Sequence, residues 1–195
     1  MAHVRITAGS FKGRTVGCRR VFAPHAGRDL LRPTSAKVRE ALFDILQSRI
    51  EGSVFIDLFA GTGAVGIEAL SRGAGRVFFV ESGRTRARAI ADFLERNSLS
   101  GRAEVFHGPA EIFLKNLRTV QQELIVFADP PYDSDELQRT IRWFDRLGPL
   151  LPEDFCLIAE HPRRKELPEN LDRLAVKKQY KYGDTMLTWY RGGKG

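Results

Sequence analysis

From Val54 onward, short uninterrupted apolar runs alternate with stretches in which apolar residues recur every three or four positions. The runs at 54–58, 76–80, 103–107, 124–128 and 155–160 predict strands, and the periodic stretches at 64–72, 84–97, 110–118 and 135–147 predict helices. Continuous apolar runs belong to strands covered on both faces, so the rhythm predicts an α/β fold: a Rossmann-like, doubly wound, mainly parallel sheet between two helical layers. Upstream, Val38, Ala41, Leu42, Ile45 and Leu46 keep helical spacing, predicting an amphipathic helix over 34–50 with Thr34 or Ser35 as its cap. Residues 1–33 carry turn signals at Ala8-Gly9-Ser10 and Lys12-Gly13 and predict a small hairpin-like extension. The tail breaks the rhythm, since 171–178 and 185–190 both predict strands, joined through Tyr182-Gly183-Asp184. An antiparallel C-terminal hairpin then completes a seven-stranded sheet. The expected division is an N-terminal extension over 1–50 and the doubly wound unit over 51–195.

Charge changes this picture at one end only. The first 40 residues hold nine Lys and Arg against two acidic side chains, while the other 155 balance at 22 of each. An excess confined to one segment suggests a surface for a polyanion, because cations near phosphates gain affinity from counterion release. Of 195 residues, 43% are hydrophobic, which is enough for a full core and excludes a disordered chain. No window approaches the roughly 18–20 apolar residues of a membrane helix, and the first residues lack the apolar stretch of a signal peptide. A soluble cytoplasmic protein is expected. Cys18 and Cys156 lie far apart, and the four histidines make no metal-binding spacing, so neither a disulfide framework nor a metal site is expected. His161, beside Pro162, reads as a surface residue rather than an acid–base group.

Candidate chemistry begins where the first run of the sheet unit ends, at Asp57-Leu-Phe59-Ala60-Gly61-Thr62-Gly63-Ala-Val-Gly66. In open α/β sheets ligands bind beyond the carboxyl ends of the strands, and glycines there let backbone N–H groups approach a ligand closely. The next strand ends at Glu81, placed to accept hydrogen bonds from two ribose hydroxyls. The glycines fit the dinucleotide fingerprint, which makes an NAD enzyme a candidate. Asp57 argues against it: a carboxylate there would repel a pyrophosphate, whereas it suits a ligand with a cationic amino acid moiety. The segment from Asp57 to Gly63 resembles motif one of class I S-adenosylmethionine (SAM) methyltransferases.

The run at 124–128 ends in Asp129-Pro130-Pro131-Tyr132. Successive prolines fix φ and remove two donors, leaving a stiff wall of acceptors. Asp129 and the Pro130 carbonyl can accept from an exocyclic amine, and the Tyr132 ring offers a surface on which a base can stack. This tetrapeptide is similar to motif four of methyltransferases that modify exocyclic amino groups of nucleobases. Such an amine delocalises its lone pair, so fixed acceptors must hold it in line with the methyl carbon. The methyl donor already carries positive charge, so no metal or covalent nucleophile is needed. Asp129 could take the amine proton or only orient the amine; both readings stay open.

Both motifs are shared by adenine-N6 DNA enzymes and guanine-N2 RNA enzymes, and the N-terminal block decides between them. Arg5-Ile-Thr-Ala-Gly9, Lys12-Gly13-Arg14, Leu31-Arg32-Pro33-Thr34 and Val38-Arg39-Glu40-Ala41-Leu42-Phe43 resemble the signature of the RsmD family. These are bacterial guanine-N2 methyltransferases of small-subunit ribosomal RNA. The likeness continues through Gly66-Ile67-Glu68-Ala69-Leu70, Glu81 and Tyr182-Gly183-Asp184-Thr185. The resemblance implies SAM as cofactor, S-adenosylhomocysteine as product and no metal. It implies that Asp57, Phe59, Ala60, Gly61, Thr62, Gly63, Glu81 and Ala110 bind the cofactor. Asp129, Pro130, Pro131 and Tyr132 would hold a flipped guanine, which has to leave its stack to meet the methyl group. Arg5, Lys12, Arg14, Arg32 and Arg39 would face RNA, though Arg39 could instead pair with Glu40 or a core carboxylate. The implied partner is 16S ribosomal RNA within an assembled small subunit, met by a monomer. Two departures stand out. Where the family presents a polar side chain to the adenine amino group, this chain has His107-Gly108-Pro109-Ala110, and Ser35-Ala36-Lys37 is less acidic than the family's stretch. The alternatives are an adenine-N6 DNA methyltransferase and an RNA-binding assembly factor with a vestigial pocket.

Overall fold

The computed structural model describes residues 4–16, 34–132, 134–147, 151–152, 154–169 and 171–192. Two antiparallel strands, β1 (Val4–Arg5) and β2 (Thr15–Val16), form the expected N-terminal hairpin. Helix α1 (Ala36–Ile45) follows, capped by the Ser35 hydroxyl, which accepts from the Val38 N–H at 3.2 Å. Then come β3 (Val54–Asp57), α2 (Ala64–Ser71), β4 (Arg76–Glu81), α3 (Arg84–Arg96), β5 (Ala103–His107), α4 (Ala110–Lys115) and β6 (Leu124–Ala128). The chain closes with α5 (Glu136–Leu147), β7 (Cys156–Pro162), β8 (Leu174–Tyr182) and β9 (Thr185–Gly192). The seven-stranded sheet has the order β5-β4-β3-β6-β7-β9-β8, parallel from β5 to β7 and antiparallel through β9 and β8. No helix among the described residues is long and apolar enough to cross a membrane.

Side chains of a strand alternate between faces, so each buried strand feeds two cores. Phe55, Val77, Phe79, Ile125, Phe127 and Ile158 pack on one face with Leu42 and Phe43 of α1, Ile67 of α2 and Ile90 of α3. Val54, Ile56, Val80, Leu124, Val126 and Leu157 pack on the other with Leu114 of α4 and Leu137, Ile141 and Phe144 of α5. Helix α2 is buried at every position because the β1–β2 hairpin covers its outer side. Gly66 lets α2 lie against β4: a Cβ there would sit 2.3 Å from the Phe79 ring.

Several boundaries differ from expectation. Helix α1 stops at Ile45 rather than 50 and α4 at Lys115 rather than 118. The tail strands run 174–182 and 185–192, because pairing along β9 carries the lysine-rich stretch of β8 as a strand although its polar run hides the alternation. Gly183, at φ 64°, makes the connecting turn. His161 is not at the surface: β9 pairs across it, leaving it 3% exposed with Nε2 2.8 Å from the Thr188 hydroxyl. Burial holds its pKa below the ordinary histidine value. Cys156 is buried in β7 and its thiol is pushed up to about 12 by that burial; Cys18 lies outside the described residues.

Candidate active site

From strand β3, β4 and β5 step away on one side, and the chain then returns to add β6 on the other. The crevice between β3 and β6 is therefore the topological switch point, where open sheets bind ligands. Asp57 is level with Phe127 in the parallel register, so the glycine loop after β3 and Asp129-Pro130-Pro131-Tyr132 after β6 emerge side by side. A cavity there is lined by Thr34, Asp57, Phe59, Gly61, Thr62 and Asp129, with Ala60, Ala64, Val65 and Phe127.

The glycine loop is satisfied largely by itself. Gly61 and Gly63 take left-handed φ values of 54° and 77°, and the Gly63 N–H donates to the Ala60 carbonyl at 2.7 Å. A Cβ on Gly63 would also meet Ile90 at 2.9 Å, so the loop demands glycine twice over. Asp57 Oδ2 accepts from the Gly66 N–H at 2.9 Å, and Thr62 Oγ1 accepts weakly from the Ala64 N–H at 3.4 Å. Two of the first amides of α2, those of Ala64 and Gly66, are thereby engaged. Asp57 is 2% exposed, and burial raises its carboxyl to about 7, partly offset by the Gly66 hydrogen bond and reinforced by the charges of Asp129 and Glu81. Glu81 Oε2 accepts from the Gly61 N–H at 2.8 Å, while Oε1 accepts from the Gly83 N–H and from Arg86 Nε at 2.9 Å. Each oxygen of a carboxylate has two lone pairs, so Oε2 keeps capacity for a further donor.

The second loop draws on distant sequence. Asp129 Oδ2 accepts from the Thr34 hydroxyl at 3.2 Å, across 95 residues. Burial raises the Asp129 carboxyl well above its ordinary value, the charge of Glu160 raises it further, and the Thr34 bond opposes both. Pro130 is buried, Pro131 exposed and Tyr132 half-buried. The Tyr132 carbonyl accepts from Lys165 Nζ at 3.3 Å. Ala110 opens α4 beside Pro109, half-buried, and His107 ends β5 exposed.

The five cations expected to face RNA separate. Arg5, Lys12 and Arg14 are exposed on the β1–β2 hairpin, with Arg14 stacked over Phe11 and donating to Asn97. Arg32 lies outside the described residues. Arg39 does not face solvent: it is 1% exposed, donates from Nε to Glu68 Oε2 at 3.3 Å and from Nη2 to the Arg5 carbonyl at 2.6 Å. It is buried because it neutralises Glu68, whose carboxylate also accepts from the Thr7 N–H and hydroxyl, the Ala8 N–H and Arg72. Burial alone would raise the Glu68 carboxyl, but these donors and the Arg39 charge hold it below the ordinary value. Sequence reasoning missed Thr34 as a support for Asp129, Glu160 as its charged neighbour, and Glu68 as the anchor of the N-terminal hairpin. An acid inside the otherwise apolar 64–70 stretch was the available signal for the last.

The family model described as "Conserved hypothetical protein 95" matches residues 4–191. A Bacillus subtilis protein, YlbH, described as a candidate rRNA methyltransferase, is 33% identical over 96% of this chain and 98% of its own. "Ribosomal RNA small subunit methyltransferase D" of Escherichia coli K12 is 35% identical over 77% of this chain and 71% of its own. Among solved structures, a candidate methyltransferase of Escherichia coli, yhhF, superposes with a TM-score of 0.81 at 27% identity, covering 100% of both chains.

Proposed function

The chain belongs to the RsmD family, and on that premise we propose that it transfers a methyl group from SAM to the N2 amine of one guanine in 16S ribosomal RNA. The observation that carries the reading is the pairing, at one switch point, of a carboxylate-lined glycine loop with an acceptor-only wall.

SAM, when bound, supplies an electrophilic methyl carbon on a sulfonium. The residues present fit it better than a dinucleotide. Asp57, Glu81 and Asp129 gather negative charge about the crevice, and Asp57 occupies the Gly66 amide that a pyrophosphate would require. A positively charged ligand beside Asp57 and Asp129 favours the ionised form of both. Glu81 keeps acceptor capacity for ribose hydroxyls, and the Ala110 backbone, opening the helix after the next strand, would meet the adenine.

On the substrate side, ionised Asp129 and the Pro130 carbonyl accept the two N–H bonds of the amine, and Tyr132 stacks on the flipped base. On methyl transfer the amine would give up one proton, either to the Asp129 carboxylate that it faces or to water. Thr34 fixes the Asp129 carboxylate for this alignment, the positioning contribution on which such a transfer depends. The exposed Arg5, Lys12 and Arg14 extend the RNA surface from the hairpin.

Transfer of a labelled methyl group tests the reading on three substrates: small subunits lacking the modification, the same RNA stripped of protein, and duplex DNA. Label on N2 of a single guanine in the subunits is expected, with less in stripped RNA. Label only on adenine in DNA would replace the RNA reading, and failure to bind SAM would favour an assembly factor instead.

A further inference from the structure

Strand β7 runs parallel to β6 with Ala159 level with Ala128, so its continuation leaves the sheet at the same edge as the Asp-Pro-Pro-Tyr loop. There the chain makes a tight turn over 162–165, closed by the Lys165 N–H donating to the Pro162 carbonyl at 2.9 Å. The turn is fastened on two further sides. The Arg163 N–H donates to the Asp184 carbonyl of the β8–β9 turn at 2.8 Å, and Lys165 Nζ donates to the carbonyls of Tyr132 and Ser134. The ammonium of Lys165 is thus spent on the substrate loop, which ties that loop to the turn. Arg163 and Arg164 are exposed, and neither has an ion-pair partner among the described residues. Three other exposed arginines, Arg76, Arg88 and Arg191, are paired with carboxylates.

We propose that Arg163 and Arg164 form a second phosphate-gripping site, holding the RNA backbone beside the nucleotide that enters the Asp129–Tyr132 wall. The inference rests on the RNA reading above and adds to it a site in the C-terminal half of the chain. Guanidinium groups suit the role, since each can take a phosphate through two parallel N–H bonds and sheds little hydration in doing so. Their placement complements the hairpin. Arg5, Lys12 and Arg14 are carried by a hairpin docked on α2, which follows β3, whereas the 162–165 turn follows β7, on the far side of β6. The hairpin turn is seated on Ser71 and Asn97, at the ends of α2 and α3 away from the acceptor loop, so the 162–165 turn supplies cations at that loop itself, where a phosphate flanking the extruded nucleotide can be held. Because Lys165 joins the turn to Tyr132 itself, backbone grip and base stacking share one rigid frame.

The test uses full-length protein with SAM and small subunits lacking the modification, and compares wild type with R163A/R164A and R163K/R164K. Two phosphate contacts each contribute about 0.7–0.9 to the slope of log affinity against log salt, so R163A/R164A should lower that slope by about 1.4–1.8. The apparent KM for RNA should rise about tenfold, while SAM affinity and the unfolding midpoint stay at wild-type values because both side chains are exposed. R163K/R164K keeps the charges and should retain most of the salt slope. An unchanged slope and KM in R163A/R164A, with wild type labelling the subunits normally, would overturn the inference and leave the proposed activity standing. Absence of labelling by wild type would instead strike the activity, while filter binding of the stripped RNA would still decide whether the two arginines hold phosphates.

Discussion

Asp57 and Asp129 stand at the ends of neighbouring parallel strands, the first buried and the second half-buried, and both hold protons more tightly than an ordinary carboxylate, yet they are supported in opposite ways. Asp57 is held by Gly66, nine residues away in the same strand–loop–helix unit. Asp129 is held by Thr34, 95 residues away, and its loop by Lys165 from beyond β7. The glycine loop is therefore held from within residues 57–86, whereas the substrate loop is tied to two distant segments. Damage to the N-terminal segment should reach the second without disturbing the first, and Glu68 is the joint at which the segment is attached.

The largest effect is expected from Glu68→Ala. It strands the buried Arg39 and removes the acceptor of Thr7 and Ala8, a loss of about 3–5 kcal/mol readable by denaturant unfolding. A midpoint close to wild type would show that the hairpin and α1 are held by other means. Next, Asp129→Asn should lower kcat by about 10²–10³-fold while SAM affinity measured by calorimetry falls far less. Comparable losses in both quantities would erase the distinction between the two sides.

Acidity sharpens the contrast further. Because the Asp57 carboxyl lies at about 7, SAM affinity should rise about tenfold per pH unit up to that value and level off above it, and Asp57→Asn should abolish the rise. The linkage to folding has the opposite sign for the two buried acids on this side. With its pKa raised from 3.8, Asp57 retains a proton in the folded chain that the unfolded chain has lost, so its contribution to stability falls as pH climbs from 3.8 towards about 7. Glu68 is held low, so its contribution is complete above the ordinary 4.5 and disappears as pH falls through its folded value. Unfolding of wild type, Asp57→Asn and Glu68→Gln across pH 4–8 would separate them. The smallest effect belongs to Thr34→Val, which removes one hydrogen bond of about 1 kcal/mol and should cost kcat about fivefold without altering SAM affinity. Equal loss in both would place Thr34 on the cofactor side instead.

What could be read from sequence follows the same division. The sheet strands at 103–107 and 124–128, the order of elements and the glycine loop were legible because each is set by local periodicity or by an adjacent motif. The supports of Asp129 were not, since Thr34 reads locally as a helix cap and only the fold brings it to β6. Arg39 was legible only as an alternative: within a basic segment it reads as a surface cation that could instead meet a core carboxylate, and the covering of α2 by the hairpin selects the second reading, with Glu68 as the partner. His161 was misplaced for a related reason, as a polar residue beside proline looks like a strand's exposed end until a long-range partner, β9, is laid across it.

Strand β8 has a consequence of a different kind, for it leaves the sheet with a free margin that could template pairing with other chains. That margin is guarded. A register irregularity between Val176 and Lys178 breaks the regular ladder, and Lys177, Lys178 and Lys181 stand exposed along it, the first two drawn over the rings of Trp189 and Tyr180. A bulge and a row of ammonium groups are the usual deterrents to strand addition. The lysines of β8 thus help to keep a nine-residue edge from seeding aggregation.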